Sequence, residues 1–529
     1  MSTLVQAGPP SSRIARAWSS RRSWPVVGAL GAAMAAGLVL LPLAFLVVQA
    51  QASGWGEIER LLFRHSVAVL LWNTVRLAAV CTALCAVLGV GAAWLIERTT
   101  IPARRLWAVA LVLPLGIPDF VVGFGWVSID PALHGYWAAV LVMTLSLYPL
   151  VYLPVATALT SLDGSLEEAA RSLGLGPWRT FARVTLRQVR GAVLGGCLLV
   201  TLALLAEYGA FEITQYRTFT VEIFTQFKLG FDTVAACVLS LVLVLLSVAV
   251  LTGEFALGGA RGSARSGPGA RRIAPRVALG RLAGPALAAL TALCGLALGV
   301  PLGALVYWMV RGSSTTLPSA SILTALGHTA EFSAAAAALA TALAVPVTSL
   351  AMRHRNRLTV VIERLAYLPM ALPGLVVALG LVSFSVRYAF ALYQSSLELI
   401  VAYAILFLPL ALVLVRSAMA QAPPRLEEVG RSLGAGPAAT WARVTLPLIA
   451  PGLRAAFALV FISSATELTA TLLLAPTGVN TLATQFWSYS TNFAYGAAAP
   501  YAASMVAISA VPAYLLSRRV TGLSRSEQR

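Results

Sequence analysis

Long apolar runs dominate this chain, and short polar stretches interrupt them. A helix needs roughly 20 apolar residues to cross the hydrocarbon core of a bilayer. Twelve runs reach about that length. In the first half they cover approximately 25–50, 68–96, 106–128, 137–161, 191–212 and 234–256. In the second they cover approximately 284–310, 328–352, 359–386, 397–420, 450–475 and 497–517. A helix in lipid satisfies its own backbone hydrogen bonds, so the pattern predicts an all-α membrane protein of about twelve transmembrane helices. The first run is too long for the core of a cleaved signal peptide and lacks a clear small-residue cleavage site, so it is read as a span.

Composition agrees: 59% of residues are hydrophobic and 11% charged, against about 25% charged in a soluble domain. The net charge of +18 raises the question of nucleic acid, and its distribution answers it. With the N-terminus inside, 31 of the 38 Lys and Arg residues fall in the seven inner segments and 6 in the outer ones, with Arg76 inside a span. This positive-inside bias puts both termini in the cytoplasm and makes the lipid bilayer, not nucleic acid, the partner of the basic surplus. The five cysteines (Cys81, Cys85, Cys197, Cys237 and Cys294) sit in or beside apolar runs. They read as small packing residues, although Cys81 and Cys85 lie one helical turn apart.

The chain repeats itself. Glu167-Glu168-Ala169-Ala170-Arg171-Ser172-Leu173-Gly174-Leu175-Gly176-Pro177, followed by Ala182-Arg183-Val184-Thr185-Leu186, returns 260 positions later. The second copy is Glu427-Glu428-Val429-Gly430-Arg431-Ser432-Leu433-Gly434-Ala435-Gly436-Pro437, then Ala442-Arg443-Val444-Thr445-Leu446-Pro447. Leu113–Pro118 matches Leu368–Pro373 at an offset of 255, and Glu207 matches Glu467 at 260. Each half is therefore one six-span unit, and an even number of spans makes the repeat parallel. The expected organisation is a tail at 1–24, a first repeat at 25–256, a Gly/Ser/Pro/Arg-rich linker at 257–283, a second repeat at 284–517 and a tail at 518–529.

Segments 162–190 and 421–449 are islands of charge on the inner side. In the first, Asp163 or Ser165 is placed to cap a helix, with Glu167 and Glu168 in its first turn, where the dipole favours negative charge. Gly174 and Gly176-Pro177 end that helix, and a second short helix is expected at about 178–187. Pro423-Pro424 precedes the equivalent helix in the second copy.

These islands resemble the loop of bacterial ABC importer permeases that reads Glu-Ala-Ala, three residues, Gly, nine residues, Ile-x-Leu-Pro. The first copy supplies Glu168-Ala169-Ala170, Gly174 and Val184-x-Leu186, with Arg187 where Pro is expected. The second supplies Glu428-Val429-Gly430, Gly434 and Val444-x-Leu446-Pro447. The resemblance implies a permease in the bacterial inner membrane, served by an external substrate-binding protein and by two copies of a cytosolic ATP-binding subunit that the loops grip. It makes Glu167, Glu168, Ala169, Ala170, Gly174, Leu186, Glu427, Glu428, Gly434, Leu446 and Pro447 the candidate docking residues. Fused twelve-span permeases of this kind are typical of ferric-iron importers. The stretches Arg217–Thr225 and Glu467–Gly478, with Thr481–Thr484, look like that group. Thiamine permeases share the architecture, and polyamine and phosphonate permeases share the loop. No phosphate-cradling GxxxxGK[ST] loop is present, so ATP binding is left to another chain and no cofactor is expected here.

Charges within spans need a reason, because each costs several kcal/mol unpaired. Glu207 and Glu467 lie in equivalent spans and can face each other across a passage. Arg76 and Glu331, equivalent and opposite in sign, can pair across the pseudo-twofold axis or snorkel to water at the membrane edge. Asp119 follows Pro118 and has Gly374 as its counterpart, so it is a further candidate for the passage. Pro114, Pro118, Pro369 and Pro373 are placed to break or kink helices. Ferric iron suits hard oxygen ligands, yet no ligand cluster has metal spacing, and His65, His134, His328 and His354 are scattered. No fixed metal site is expected, and no nucleophile–base arrangement marks an enzyme. An ion-coupled carrier of twelve spans is the competing reading. It has no use for a duplicated docking helix.

Overall fold

The computed structural model describes residues 23–52, 54–162, 164–258, 276–312, 320–353 and 356–522. Most of the expected tails and linker lie outside these residues, as do Asp163 and His354. The described residues are helical almost throughout, and among them the only β contact is a bridge between Thr99 and Val277.

Among the described residues, nine helices are long and apolar enough to cross a membrane: Gly28–Ala52, His65–Arg98, Tyr136–Ser161, Pro177–Ala206, Thr233–Gly253, Gly280–Arg311, Ala320–Arg353, Ser396–Ala420 and Pro437–Ala465. Two further spans are bent. Arg104–Gly116 meets Asp119–Ile129 at 92°, and Arg357–Ala371 meets Gly374–Tyr388 at 109°. The helix Tyr495–Gly522 occupies the twelfth expected position. The bends come from proline. Pro118 and Pro373 are extended, with ψ near 140° in both (140 and 142), and Ile117, before Pro118, is pushed out of the helical region to φ −105, ψ 120. Proline has no N–H to continue the ladder and crowds the residue before it.

Two expectations need correction. The fifth and eleventh spans stop at Ala206 and Ala465, short of 212 and 475. The chain turns at Glu207 and Glu467 into pairs of short helices, Gly209–Ile213 with Phe219–Lys228, and Thr469–Leu474 with Leu482–Thr491. The sequence stays apolar through these turns, so hydropathy does not register them. The glutamates make them: the Ala210 N–H donates to Glu207 Oε1 at 2.7 Å and the Ala470 N–H to Glu467 Oε1 at 3.1 Å. The second correction concerns the short helix expected at 178–187. It is the start of the long helix Pro177–Ala206, which widens into a π turn at Phe181–Thr185 and runs on. Pro437–Ala465 repeats this, with its π turn at Trp441–Thr445. Gly-Pro opens each helix with proline in its first turn, and the helices run on through Gly191, Gly195 and Gly196 in the first and through Pro447 and Pro451 in the second.

By packing, the chain forms two compact units that cut across the sequence repeats. The larger comprises 41–336, 370–406 and 461–529. Its second, fourth and fifth spans are tightly packed because Val151 sits between two glycines. A Cβ on Gly89 or on Gly196 would come within 2.8 Å of a Val151 carbon. Small residues let transmembrane backbones approach where lipid supplies no hydrophobic drive. Tyr148 and Tyr152 are fully buried in this core, and Cys81 and Cys85 donate to the Val140 and Thr144 carbonyls. The smaller unit comprises 1–40, 337–369 and 407–460. There Gly31 lies against the Pro346 ring and Gly452 against Ala418.

Candidate functional site

Each Glu–Gly loop is a short helix closed by a glycine turn and continued by a long helix. The short helices are Ser165–Ser172 and Pro424–Ser432. Gly164 stands at the first N-cap with no side-chain cap bond, so Ser165 does not cap the helix as expected, and Pro424 opens the second. Both helices end on a glycine in the left-handed region, Gly174 at φ +85 and Gly434 at φ +87. The Leu175 N–H returns to the Ala170 carbonyl and the Gly174 N–H to that of Arg171, while Ala435 returns to Gly430 and Gly434 to Arg431. This closure satisfies the last carbonyls of each helix and needs a residue without a Cβ penalty.

The paired glutamates divide. Glu167 is buried, 4% exposed. Its Oε1 accepts from Thr185 Oγ1 at 2.8 Å and lies 3.3 Å from Arg98 Nη2. The same Arg98 nitrogen donates to the Leu159 carbonyl at 3.2 Å. In the second loop Glu427 Oε1 takes Thr445 Oγ1 and Arg353 Nη2 in the same way. Glu168 is half-buried and Glu428 exposed. Glu167 and Glu427 thus face inward, their carboxylates bound within the fold. A buried carboxylate needs its partners, and arginine and threonine supply them. Ala170 is also buried, and Leu186 packs against the core. Ala169, Gly174, Gly434 and Pro447 are exposed, and Leu446 is half-buried. Gly430 stands where the first copy has Ala170, and a Cβ there would lie 3.3 Å from Thr440 Cγ2.

Bare apolar side chains crown both loops. Leu173 is 83% exposed and Leu433 81%, and Leu166, Leu426 and Val429 are exposed beside them. The first loop adds Trp178, exposed yet stacked on Trp94 at 4.9 Å. Apolar surface gathered on an otherwise charged loop is the kind of surface that a partner covers.

At the far end of the long helices, Asp119, Glu207 and Glu467 are all half-buried. Glu207 lies within electrostatic range of both Asp119 and Glu467. Where the first repeat has Asp119, the second has Gly374, and a Cβ there would stand 2.8 Å from Glu467 Oε1. The glycine leaves room for a carboxylate that its counterpart supplies itself. Tyr403 and Thr471 hydroxyls meet at 2.6 Å, and Thr471 donates to the Glu467 carbonyl. No group of three or more metal-ligating side chains occurs among the described residues.

Arg76 does not pair with Glu331. Its guanidinium lies 4.0 Å from the Tyr136 ring centroid and donates to Tyr216 Oη at 3.3 Å. Tyr216 reaches back to the Asn73 carbonyl from the turn after Gly209–Ile213 and so occupies the space beside Arg76. Glu331 is exposed.

Residues 86–254 and 336–522 each match the family of binding-protein-dependent transport system inner membrane components. The chain belongs to this family. It is 38% identical to the Fe(3+)-transport system permease protein FbpB 2 of Haemophilus influenzae over 485 residues, 90% of this chain and 95% of that protein. Shorter alignments link it to the sulfate transport system permease protein CysW of Escherichia coli (27% identity, 36% of this chain, 70% of that protein). The molybdenum transport system permease protein ModB of the same species matches at 33% over 23% of this chain and 60% of its own.

A permease of this family sits in the inner membrane and works with a substrate-binding protein and an ATP-binding subunit. In this permease Asp119 and Glu467 each lie within electrostatic range of Glu207. Sequence reasoning missed Arg98, Arg353, Thr185 and Thr445. The signal was available: Thr185 and Thr445 repeat at 260, the offset of the glutamates, and Arg98 and Arg353 at 255.

Proposed function

We propose that this permease passes ferric iron from an external binding protein into the cytoplasm of a bacterium. Two copies of a cytosolic ATP-binding subunit dock on the Glu–Gly loops and drive the passage. The chain does no catalysis and holds no cofactor of its own, and both of its termini are cytoplasmic. One observation carries this reading. Each loop continues without a break along one helix, Pro177–Ala206 or Pro437–Ala465, and that helix ends on a membrane carboxylate, Glu207 or Glu467. At about 1.5 Å per residue each lever is about 45 Å long, enough to carry a displacement across the bilayer. Iron as cargo is supported by the near full-length iron-transport relative and by the hard oxygen donors of Asp119, Glu207 and Glu467, which we place along the passage. Sulfate or molybdate would be repelled by those carboxylates. Thiamine and polyamines are cations too. A partner binding protein that takes up thiamine and ignores ferric iron would overturn the choice of cargo.

Two expectations follow for glycines. A side chain at Gly174 or Gly434 meets no atom within 4 Å, so substitution there strains the backbone alone. Gly174→Val with Gly434→Val is expected to cost about 1–2 kcal/mol per turn and to leave the ATP-binding subunit bound. Iron uptake per ATP hydrolysed should fall, and an unchanged ratio in reconstituted vesicles would count against a rigid turn. Gly374→Ala places a methyl against Glu467 Oε1, which must swing aside. Uptake should drop while ATP hydrolysis continues, as a paired assay of both rates would show.

A further inference from the structure

We propose that the inward glutamates are transmission joints. Glu167 with Thr185 and Arg98, and Glu427 with Thr445 and Arg353, would couple each docking helix to two spans at once. This rests on the functional reading above, since a joint needs an ATPase to pull on it.

Each joint unites three elements. Glu167 belongs to the short helix Ser165–Ser172, Thr185 to the π turn of the lever Pro177–Ala206, and Arg98 is the last residue of the helix His65–Arg98. The second joint has the same plan. Glu427 lies in Pro424–Ser432, Thr445 in the π turn of Pro437–Ala465, and Arg353 ends Ala320–Arg353. Both arginine-terminated helices are 34 residues long. One carboxylate oxygen in each joint receives both partners. Movement of the docking helix therefore loads the lever through threonine and the second span of the repeat through arginine. Without the joint, the glycine turn and the Thr180 and Thr440 hydroxyls that donate to the Leu175 and Ala435 carbonyls still link helix to lever, but the charged tie from the docking helix to the second span is lost. A π turn widens the helix at the residue that binds the glutamate, and such turns often occur at functional positions.

The joints are not equal. The side chains of Arg98 and Glu167 are 8% and 6% exposed, those of Arg353 and Glu427 23% and 16%. The first is further held by the Leu159 carbonyl, and by the Val277 N–H, which donates to the Arg98 carbonyl at the isolated bridge with Thr99. A dry, bonded pair transmits force with less slack than a partly wet one, because water screens and competes for the latter. The first joint is expected to carry more of the coupling.

The test removes both charges of a joint together. A buried pair replaced whole by apolar residues of similar size generally leaves a fold intact, whereas removing one partner strands the other. Arg98→Met with Glu167→Met, and Arg353→Met with Glu427→Met, are reconstituted with the ATP-binding subunit and iron-loaded binding protein. Iron entry and ATP hydrolysis are measured on the same vesicles. The expected result is an assembled complex that still hydrolyses ATP but imports roughly fivefold less iron per ATP, with the first pair the more damaging. Arg98→Lys, which keeps the charge, should preserve most of the coupling. An unchanged ratio in assembled complexes overturns the proposal. Failure of the methionine variants to assemble moves the decision to Thr185→Val with Thr445→Val, which keeps both ion pairs. A lowered ratio there supports the joint, and an unchanged one reduces it to a structural clamp. Wild-type vesicles that import no iron with ATP would defeat the functional reading instead.

Discussion

Replacing Leu173 and Leu433 by aspartate is expected to release the ATP-binding subunit from an otherwise intact permease. Both leucines are more than four-fifths exposed (83% and 81%), so the permease loses no packing when they change. Burying a leucine on docking contributes about 1.5–3 kcal/mol. Each loop stands to lose that much, and a buried aspartate adds a desolvation penalty. Affinity should fall by about 10- to 100-fold per loop, which removes the subunit from co-purification when both loops are changed. The first loop also presents Trp178, which the second replaces with Ala438. The single Leu433→Asp variant should therefore weaken docking more than Leu173→Asp does. Retention of the subunit by the double variant, measured by co-purification and by titration, would show that docking lies elsewhere.

Glu207→Gln with Glu467→Gln is expected to stop iron entry without unfolding the chain. On the proposed reading each carboxylate has two tasks. Its Oε1 accepts an N–H from the following short helix, at 2.7 Å for Glu207 and 3.1 Å for Glu467, and glutamine keeps an oxygen for that bond. The stability change should thus stay near the few tenths to about 1 kcal/mol of a weakened cap. The second task is charge. At about 5 Å and an effective dielectric of about 20, one carboxylate attracts a unit positive charge by about 3 kcal/mol, and a trivalent ion correspondingly more. Removing both glutamates should lower uptake by more than about tenfold while melting temperature moves little. Near-normal uptake by this variant would reduce the glutamates to helix caps.

Much of this architecture was legible because the period of the repeats, the length of the apolar runs and the asymmetry of arginine all leave marks in the sequence. Pro118 and Pro373 marked the bends, since proline cannot continue a helix. The turns at Glu207 and Glu467 were hidden because the residues on both sides, Leu204-Leu205 and Phe211, or Ala465 and Leu472, are as apolar as any span. The continuity of Pro177–Ala206 was hidden for the opposite reason: Arg187, Gln188 and Arg190 look like loop residues, and they are polar turns inside a helix. Side-chain direction was the least accessible level. Glu167 and Glu168 are adjacent and chemically identical, and only the packing of Arg98 and Thr185 turns one inward. Arg76 likewise found Tyr136 and Tyr216, where the sequence had offered Glu331.

The most direct measurement is uptake of radiolabelled ferric iron into vesicles holding this chain and its ATP-binding subunit, with the iron-loaded binding protein outside. Iron entry that requires both internal ATP and the binding protein, and that ionophores leave unaffected, is the predicted result. Entry that runs without ATP and collapses with an ion gradient, or ATP-driven import of sulfate or thiamine with iron excluded, would contradict it.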